Sequence, residues 1–336
     1  MIKIPPFYLS GWDGDEKTYT DMKALVFDGS LQIVEIPKPR PVSNEVLIRI
    51  LYSSICNTDL EIIKGYMGFK GVLGHEFVGE VVTKSSCYYG KKVVGEINCS
   101  CGECYLCNTG RMSHCPYRTV LGIQDHDGVF ADYIVLPERN LHEIPDTLSL
   151  ESAVFTEPLA AAIEIFEQIQ IRPSHNVFIF GAGKLGLLIS QVFRLNGCDT
   201  ITFDVTEAKV KKARSMGINA VLVSSLSDLD KAEVCVDCTG NPAGINMALS
   251  HLYPRGKLVL KTTVATSEKI DLNQIVVNEF EIIGSRCGLF DPALSLLNQG
   301  LVDSKPMVSK IFDFKDIMKA FEYAAKPNTL KVLIRH

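Results

Sequence analysis

The 336-residue sequence predicts an α/β chain in two units: a mostly antiparallel β unit, then a doubly wound parallel sheet covered by helices. Three observations carry this. The length exceeds one comfortable hydrophobic core. From Lys23 to about Val135, short alternating or apolar runs are broken by Gly, Pro and Asn. Beyond Ser152 the rhythm changes to strands separated by helices, the pattern of a parallel sheet.

Residues 1–21 read as an extension to the fold. Ile2 to Leu9 are mostly apolar but short, lack a basic flank and run into Asp13, Asp15 and Glu16, unlike a secretory signal or a transit peptide. Met22 opens the first strand-like stretch. Glu45-Val-Leu-Ile-Arg-Ile-Leu, Phe77-Val-Gly-Glu-Val-Val, Lys92-Val-Val-Gly-Glu and Phe130-Ala-Asp-Tyr-Ile-Val continue the β unit. A long helix is expected over Ala153–Gln170. Strand Asn176-Val-Phe-Ile-Phe, helix Lys184–Leu195, strand Thr200-Ile-Thr-Phe and helix Glu207–Met216 follow. Strands at Ala220, Glu233, Lys257 and Phe280 and a helix over Gly244–Leu252 complete the parallel pattern. The tail, Ile311 to Ile334, reads strand, helix, strand and is too short to fold alone, so it is expected to return to the first unit.

Hydrophobic residues at 46% and charged residues at 22% are ordinary for a soluble protein, and cytoplasmic location is the default expectation. A net charge of −5 gives no electrostatic reason to seek a nucleic acid or an anionic membrane. No apolar run approaches the ~20 residues that a membrane span requires.

Gly181-Ala-Gly183-Lys184-Leu185-Gly186 places G-x-G-x-x-G between a strand and a helix. The glycines permit a tight turn and close approach of a pyrophosphate, and the helix N-terminus offers it free N–H groups. Asp204 closes the next strand, where a carboxylate bonds ribose hydroxyls and repels a 2′-phosphate, so NAD is expected over NADP. Lys209 lies close enough in sequence to reach the same ribose.

Five of the eleven cysteines fall between Cys99 and Cys115. Cys101, Cys104, Cys107 and Cys115 form C-x2-C-x2-C-x7-C, a closed four-thiolate pattern suited to a structural zinc. Cys99 is a near neighbour, either a plain buried thiol or an alternative ligand. A zinc module for nucleic acid is the rival reading, and the acidic charge balance counts against it. A second constellation is dispersed: Cys56 in Ile55-Cys56-Asn57-Thr58-Asp59, His75 and Glu76 in Gly74-His75-Glu76, and Glu157 in Thr156-Glu157-Pro158. One thiolate, one imidazole and one carboxylate leave a fourth zinc position open, the catalytic pattern. Taken singly, each of these residues has a plain structural reading.

The order Cys-x-Thr-Asp, Gly-His-Glu, four-cysteine lobe, Glu-Pro and G-x-G-x-x-G resembles the zinc-containing medium-chain dehydrogenases, from Met22 to His336. The resemblance implies a GroES-like catalytic domain at 22–155 with the structural zinc lobe at 99–115. It further implies an inserted Rossmann NAD-binding domain at 156–290 and a segment at 291–336 returning to the catalytic domain. Two zinc ions per chain, NAD, a small-molecule alcohol substrate and a homo-oligomer, dimer or tetramer, follow from it.

Glu157-Pro158 is similar to the sorbitol, threonine and glucose dehydrogenase branches. In the sorbitol branch Glu76 stands as a direct zinc ligand and Glu157 as one acting through water, so both are candidates beside Cys56 and His75. Zinc would act as Lewis acid on the alcohol, which gives its hydride to the nicotinamide. Thr58 would carry the alcohol proton away, and Asp59 would hold the His75 ring. A plainer reading has Thr58 and Asp59 cap a helix over Leu60–Lys64.

Several positions depart from the family. Glu61 stands where many relatives end the proton relay in histidine. Asn57 stands where some place a phosphate-binding arginine. Residues 83–90 form a short loop, and Lys261-Thr262-Thr263 replaces a glycine-containing strand end beside the nicotinamide. Arg286 is a candidate cofactor or substrate contact, with a surface ion pair as the alternative. The substrate pocket is expected near Cys56, Phe69, Glu157 and Arg286, and its polar groups favour a polyol or other hydroxylated alcohol. The rival functions are a zinc-free quinone or enone reductase and an inactive cofactor-binding relative.

Overall fold

The computed structural model describes residues 21–228, 230–241, 243–262 and 269–336. The expected extension lies outside these residues except for Asp21, as does Thr263. The chain opens with β1 (Asp21–Phe27), β2 (Leu31–Pro37), β3 (Glu45–Ile55), α1 (Asn57–Ile62), β4 (Gly71–Val72), β5 (Glu76–Val81) and β6 (Lys92–Gly95). It continues through β7 (Asn98–Cys99), α2 (Tyr105–Asn108), β8 (Thr119–Leu121), β9 (Asp125–His126), β10 (Tyr133–Pro137) and β11 (Leu141–Glu143). Alternation shapes β3: Val46, Ile48 and Ile50 turn inward while Arg49 faces solvent.

A short helix, α3 (Leu150–Ala153), follows, and separate from it comes α4 (Thr156–Gln168), the long helix expected over Ala153–Gln170. Pro158 explains the break. It lacks an N–H and its ring would clash with the carbonyl of Val154, so it is tolerated only in the first turn of a new helix. The parallel region comprises β12 (Asn176–Phe180), α5 (Lys184–Leu195), β13 (Asp199–Asp204), α6 (Glu207–Ser215), β14 (Ala220–Leu222) and β15 (Ala232–Asp237). It ends with α7 (Ala243–Ser250), β16 (Leu252–Leu260), α8 (Leu272–Val277) and β17 (Glu281–Gly284). The tail holds α9 (Phe290–Asn298), β18 (Val308–Asp313), α10 (Ile317–Ala324) and β19 (Lys331–Arg335).

The parallel sheet runs β14-β13-β12-β15-β16-β17, the order of a Rossmann-type fold. Val177 to Phe180 of β12 are buried on both faces because helices cover each side. The first unit carries a seven-stranded sheet ordered β11-β6-β5-β3-β19-β18, with β10 also pairing β3. Strand β19 lies antiparallel to β3, so the tail completes the first sheet. A small sheet, β2-β1-β4, and the lobe sheet, β7-β8-β9, flank it. Helix α4 joins the two units: Leu159 and Ala162 share one apolar cluster with Val78 and Val94 of the first sheet and Val177 and Ile179 of the second.

Register then places the site. Phe180 pairs with Phe203, Phe180 with Asp237, Asp237 with Leu260, and Leu260 with Gly284. Gly181, Cys238, Lys261 and Ser285 therefore leave one common carboxyl edge of the sheet, beside Asp204, where ligands bind in open α/β folds. Among the described residues, no helix is long and apolar enough to cross a membrane.

Candidate catalytic and cofactor site

The four-cysteine lobe is compact. Sγ–Sγ separations are 3.5 Å for Cys104–Cys107 and Cys101–Cys115, 3.8 Å for Cys104–Cys115 and 3.9 Å for Cys101–Cys107. A tetrahedral zinc with bonds of about 2.3 Å sets its sulfurs about 3.8 Å apart, so the donor set fits that ion. The same distances are far too long for disulfides, and all four thiols are free. Cys99 stands outside the group. Burial pushes its thiol up to about 12, so it stays a neutral side chain beside Asn140.

Strand β3 delivers Cys56 to the mouth of the cleft, where it is the N-cap of α1. That helix begins at Asn57, three residues before the expected start, because Asp59 Oδ2 accepts the Cys56 N–H at 2.8 Å and closes its first turn. The other oxygen, Oδ1, lies 3.3 Å from His75 Nδ1, with both side chains buried. The two atoms complete no hydrogen bond at that angle. Asp59 thus closes the first turn of α1, as the plainer reading expected, and stands beside the His75 ring; an imidazole turned to it by Nδ1 offers Nε2 as a metal donor. Burial alone would lower the His75 pKa, but the charges of Asp59 and Cys56 outweigh it and hold the value well above the usual histidine range.

Donor atoms of Cys56, His75 and Glu76 all lie within 4.8 Å of one another, which fits a metal ion. Glu76 is also engaged elsewhere. Lys331 Nζ lies 2.7 Å from its Oε1 and 2.6 Å from its Oε2, and Ser54 donates to Oε2. Register explains the triad, since Ser54 sits opposite Glu76 and Val332 opposite Ile55. Glu157, in the first turn of α4, faces the same cleft without joining that three-residue cluster. Burial pushes its carboxyl up to about 6. Sequence reasoning missed Lys331 and Ser54. The available signal was a lysine opening a strand whose next three residues are all apolar.

At the Gly-rich turn, Gly181 has φ of 108° and a Cβ on Gly186 would lie 1.9 Å from the Gly181 carbonyl oxygen. Both positions therefore demand glycine. Gly183 has no atom within 4 Å of where a Cβ would stand, which leaves its backbone bare to the cleft as a phosphate cradle requires. Asp204 accepts from Ala182 N at 2.9 Å and Thr206 N at 2.8 Å, and Lys209 Nζ lies 3.5 Å away.

A cleft of about 330 Å³ unites these parts: Cys56, Thr58, Glu157, Gly183, Lys184 and Lys209 all line it. Leu185 and Glu61 line it as well, with Glu61 held by Lys64 at 2.9 Å. Lys261 adds an ammonium that donates to Ala161 O, Ser285 Oγ and Arg286 O at 2.5, 3.0 and 3.2 Å, and burial lowers its pKa to about 8. Phe69 and Arg286, expected near the substrate, do not line the cleft. Phe69 packs in the core of the first sheet, and the Arg286 guanidinium reaches the Ser113 carbonyl of the cysteine lobe.

Residues 42–146 match the family model described as alcohol dehydrogenase GroES-like domain, and residues 185–299 match zinc-binding dehydrogenase. The chain is 30% identical over 340 residues to a sorbitol dehydrogenase of Halalkalibacterium halodurans, covering 93% of this chain and 99% of that protein. Among solved structures, a short chain alcohol dehydrogenase (RspB) of Escherichia coli CFT073, complexed with NADH, superposes with a TM-score of 0.87 at 26% identity, over 94% and 99% of the two chains. A putative zinc-binding dehydrogenase of Sinorhizobium meliloti 1021, bound to NADP, gives 0.85 at 26% identity over 94% and 100%.

Proposed function

The chain belongs to the zinc-type medium-chain dehydrogenase/reductase family, and we propose that it transfers hydride between NAD and a hydroxylated, polyol-like alcohol at a zinc-bearing site. One observation carries the reading: Cys56 and Glu157 share a single cleft with the bare Gly183–Lys184 turn. A hydride can pass only where substrate and nicotinamide meet, and this cleft has a candidate metal cluster on one wall and a dinucleotide turn on the other.

Cys56 and His75 are the firm zinc ligands of this proposal, with Glu157 or Glu76 as the carboxylate partner; Cys101, Cys104, Cys107 and Cys115 hold a second, structural zinc. When bound, the catalytic zinc supplies Lewis-acid polarisation of the alcohol oxygen, and NAD supplies the hydride acceptor. Oxidation removes a hydride from carbon and a proton from oxygen. Thr58 Oγ1 lies 3.7 Å from Cys56 Sγ and lines the cleft, which supports it as first proton acceptor. Glu61, also at the cleft, supports a relay that ends in a carboxylate. Asp59 keeps the His75 ring oriented. The Lys331 ammonium neutralises Glu76, which favours Glu157 as the carboxylate left for the metal or for a water on it. Asp204 supports NAD over NADP. The edge strand β17, whose outer side has no partner strand among the described residues, and exposed Val276 and Val277 support a homo-oligomer.

The test combines turnover with cofactor binding. Wild type should reduce NAD with a polyol from a panel of sugars, polyols and simple alcohols. Cys56→Ala should lose turnover and keep NADH binding. Turnover retained in that variant overturns the zinc mechanism and returns a zinc-free reductase to the front.

A further inference from the structure

We infer, resting on the dehydrogenase reading above, that Lys184 is the cation that clamps the cofactor's diphosphate, and that it does so from the sheet side of the cleft. The active cleft opens into an adjoining groove of about 390 Å³ that shares Asn57, Lys184, Lys209 and Thr329 with it. Lys64, Lys184, Lys209 and Lys326 line that groove, and no aspartate or glutamate does. A pocket so charged takes an anion.

The lysines of the two cavities are not equivalent. Lys331 is paired with Glu76, Lys209 lies 3.5 Å from Asp204, Lys64 lies 2.9 Å from Glu61, and Lys261 donates to three oxygens. Lys326 stands over the Tyr323 ring. Lys184 alone of the cleft lysines has no hydrogen bond or ion pair among the described residues, although it is largely enclosed between the two units. Burial and the neighbouring Lys331 charge both push its pKa down. An enclosed ammonium without a partner is unfavourable until an anion arrives.

Its position says which anion. Lys184 is the first residue of the twelve-residue α5, whose opening N–H groups have no intrahelical acceptor. Gly183, just before it, presents bare backbone. Asp204, at the end of the neighbouring strand, accepts the N–H of Ala182 in this turn, and Cys56 lines the cleft together with Gly183 and Lys184. A dinucleotide with one ribose at Asp204 and its nicotinamide beside Cys56 must carry its diphosphate across the N-terminus of α5. The backbone N–H groups take one phosphate edge and the Lys184 ammonium the next. Across the groove stands Asn57, an uncharged amide at the start of α1. The unpaired charge of the clamp therefore comes from the Gly-rich turn, while Lys64 and Lys326 of the first unit are engaged with Glu61 and the Tyr323 ring.

Isothermal titration of the zinc-loaded full chain with NADH and with ADP-ribose tests this. ADP-ribose carries the diphosphate without the nicotinamide. Lys184→Met should weaken both ligands about ten- to a hundredfold, the loss expected for one charge-assisted hydrogen bond, and flatten the salt dependence of binding. Lys184→Arg should bind as wild type does. The double variant Asn57→Arg/Lys184→Met should regain most of the lost affinity, because arginine at 57 restores a cation to the same groove from its other wall. ADP-ribose bound by Lys184→Met within about twofold of wild type overturns the inference. Wild type that binds neither ligand overturns the dehydrogenase reading, and the clamp with it.

Discussion

Lys331 Nζ lies 2.7 and 2.6 Å from the two carboxylate oxygens of Glu76, and both side chains are sealed from solvent. The pair closes the floor of the cleft. Burial alone would raise the Glu76 pKa, but the Lys331 charge and the nearby His75 outweigh it and hold the carboxyl below its ordinary value. Removing one partner strands a buried charge. Lys331→Met should cost about 3–5 kcal/mol of stability, while Glu76→Gln/Lys331→Met should recover part of it because no naked charge remains. Urea unfolding midpoints of the three proteins check this, and a Lys331→Met protein as stable as wild type would show that the pair contributes nothing.

His142 ties β11 to α9: its Nδ1 lies 2.6 Å from Oδ1 of Asp291, in the first turn of α9, and its Nε2 3.1 Å from Glu96 Oε1. Burial tends to lower its pKa, but the two carboxylates outweigh that and raise it. A raised folded pKa means stability that is complete below the unfolded value of about 6.5 and is lost as pH rises through the folded value. Wild type should therefore lose more stability than His142→Gln does between about pH 5.5 and 8.5. Parallel pH profiles of the two unfolding midpoints would refute the linkage.

What was legible in the sequence followed contact distance. Gly181, Gly183 and Gly186 were readable because a tight turn and a close helix approach are local demands, and Lys184–Leu195 was read as the helix it is. The four-cysteine lobe was readable for the same reason. Cys56, His75 and Glu157 could be named as a dispersed constellation, but only the resemblance lifted them above their plain structural readings, since residues far apart in sequence must be brought together by the fold. Lys331 was missed: its apolar strand hinted at burial, but it meets Glu76 across 255 positions and only through the β19–β3–β5 register. Arg286 stayed open between two readings because a strand-end residue can turn either to the cleft or outward, and here the carbonyl of Ser113 takes its guanidinium.

Two zinc sites of different kinds should respond differently to substitution. Metal analysis should give about two zinc ions per chain for wild type and about one for either Cys56→Ala or Cys101→Ser. Cys101→Ser should retain NAD-linked turnover at low temperature and unfold earlier on heating, because a closed four-thiolate site contributes to folding. Equal thermal stability in the two variants would remove the distinction between the sites.

Cofactor choice should turn on the charge of Asp204. Its oxygens accept from Ala182 N and Thr206 N, so the carboxylate is fixed in place by the turn it serves. A 2′-phosphate brought against it would add about −1.5 to −2 charges beside a buried anion. Asp204→Asn removes that repulsion and keeps one oxygen as an acceptor, while Lys209, 3.5 Å away, is released to meet the phosphate. The NADPH dissociation constant should fall, and the NADH constant should rise about tenfold as the charged partner of the ribose is lost. Adding Lys209→Met should cancel the gain for NADPH, which separates attraction by the lysine from mere relief of repulsion. A wild-type protein that already binds NADPH more tightly than NADH would overturn the assignment of NAD.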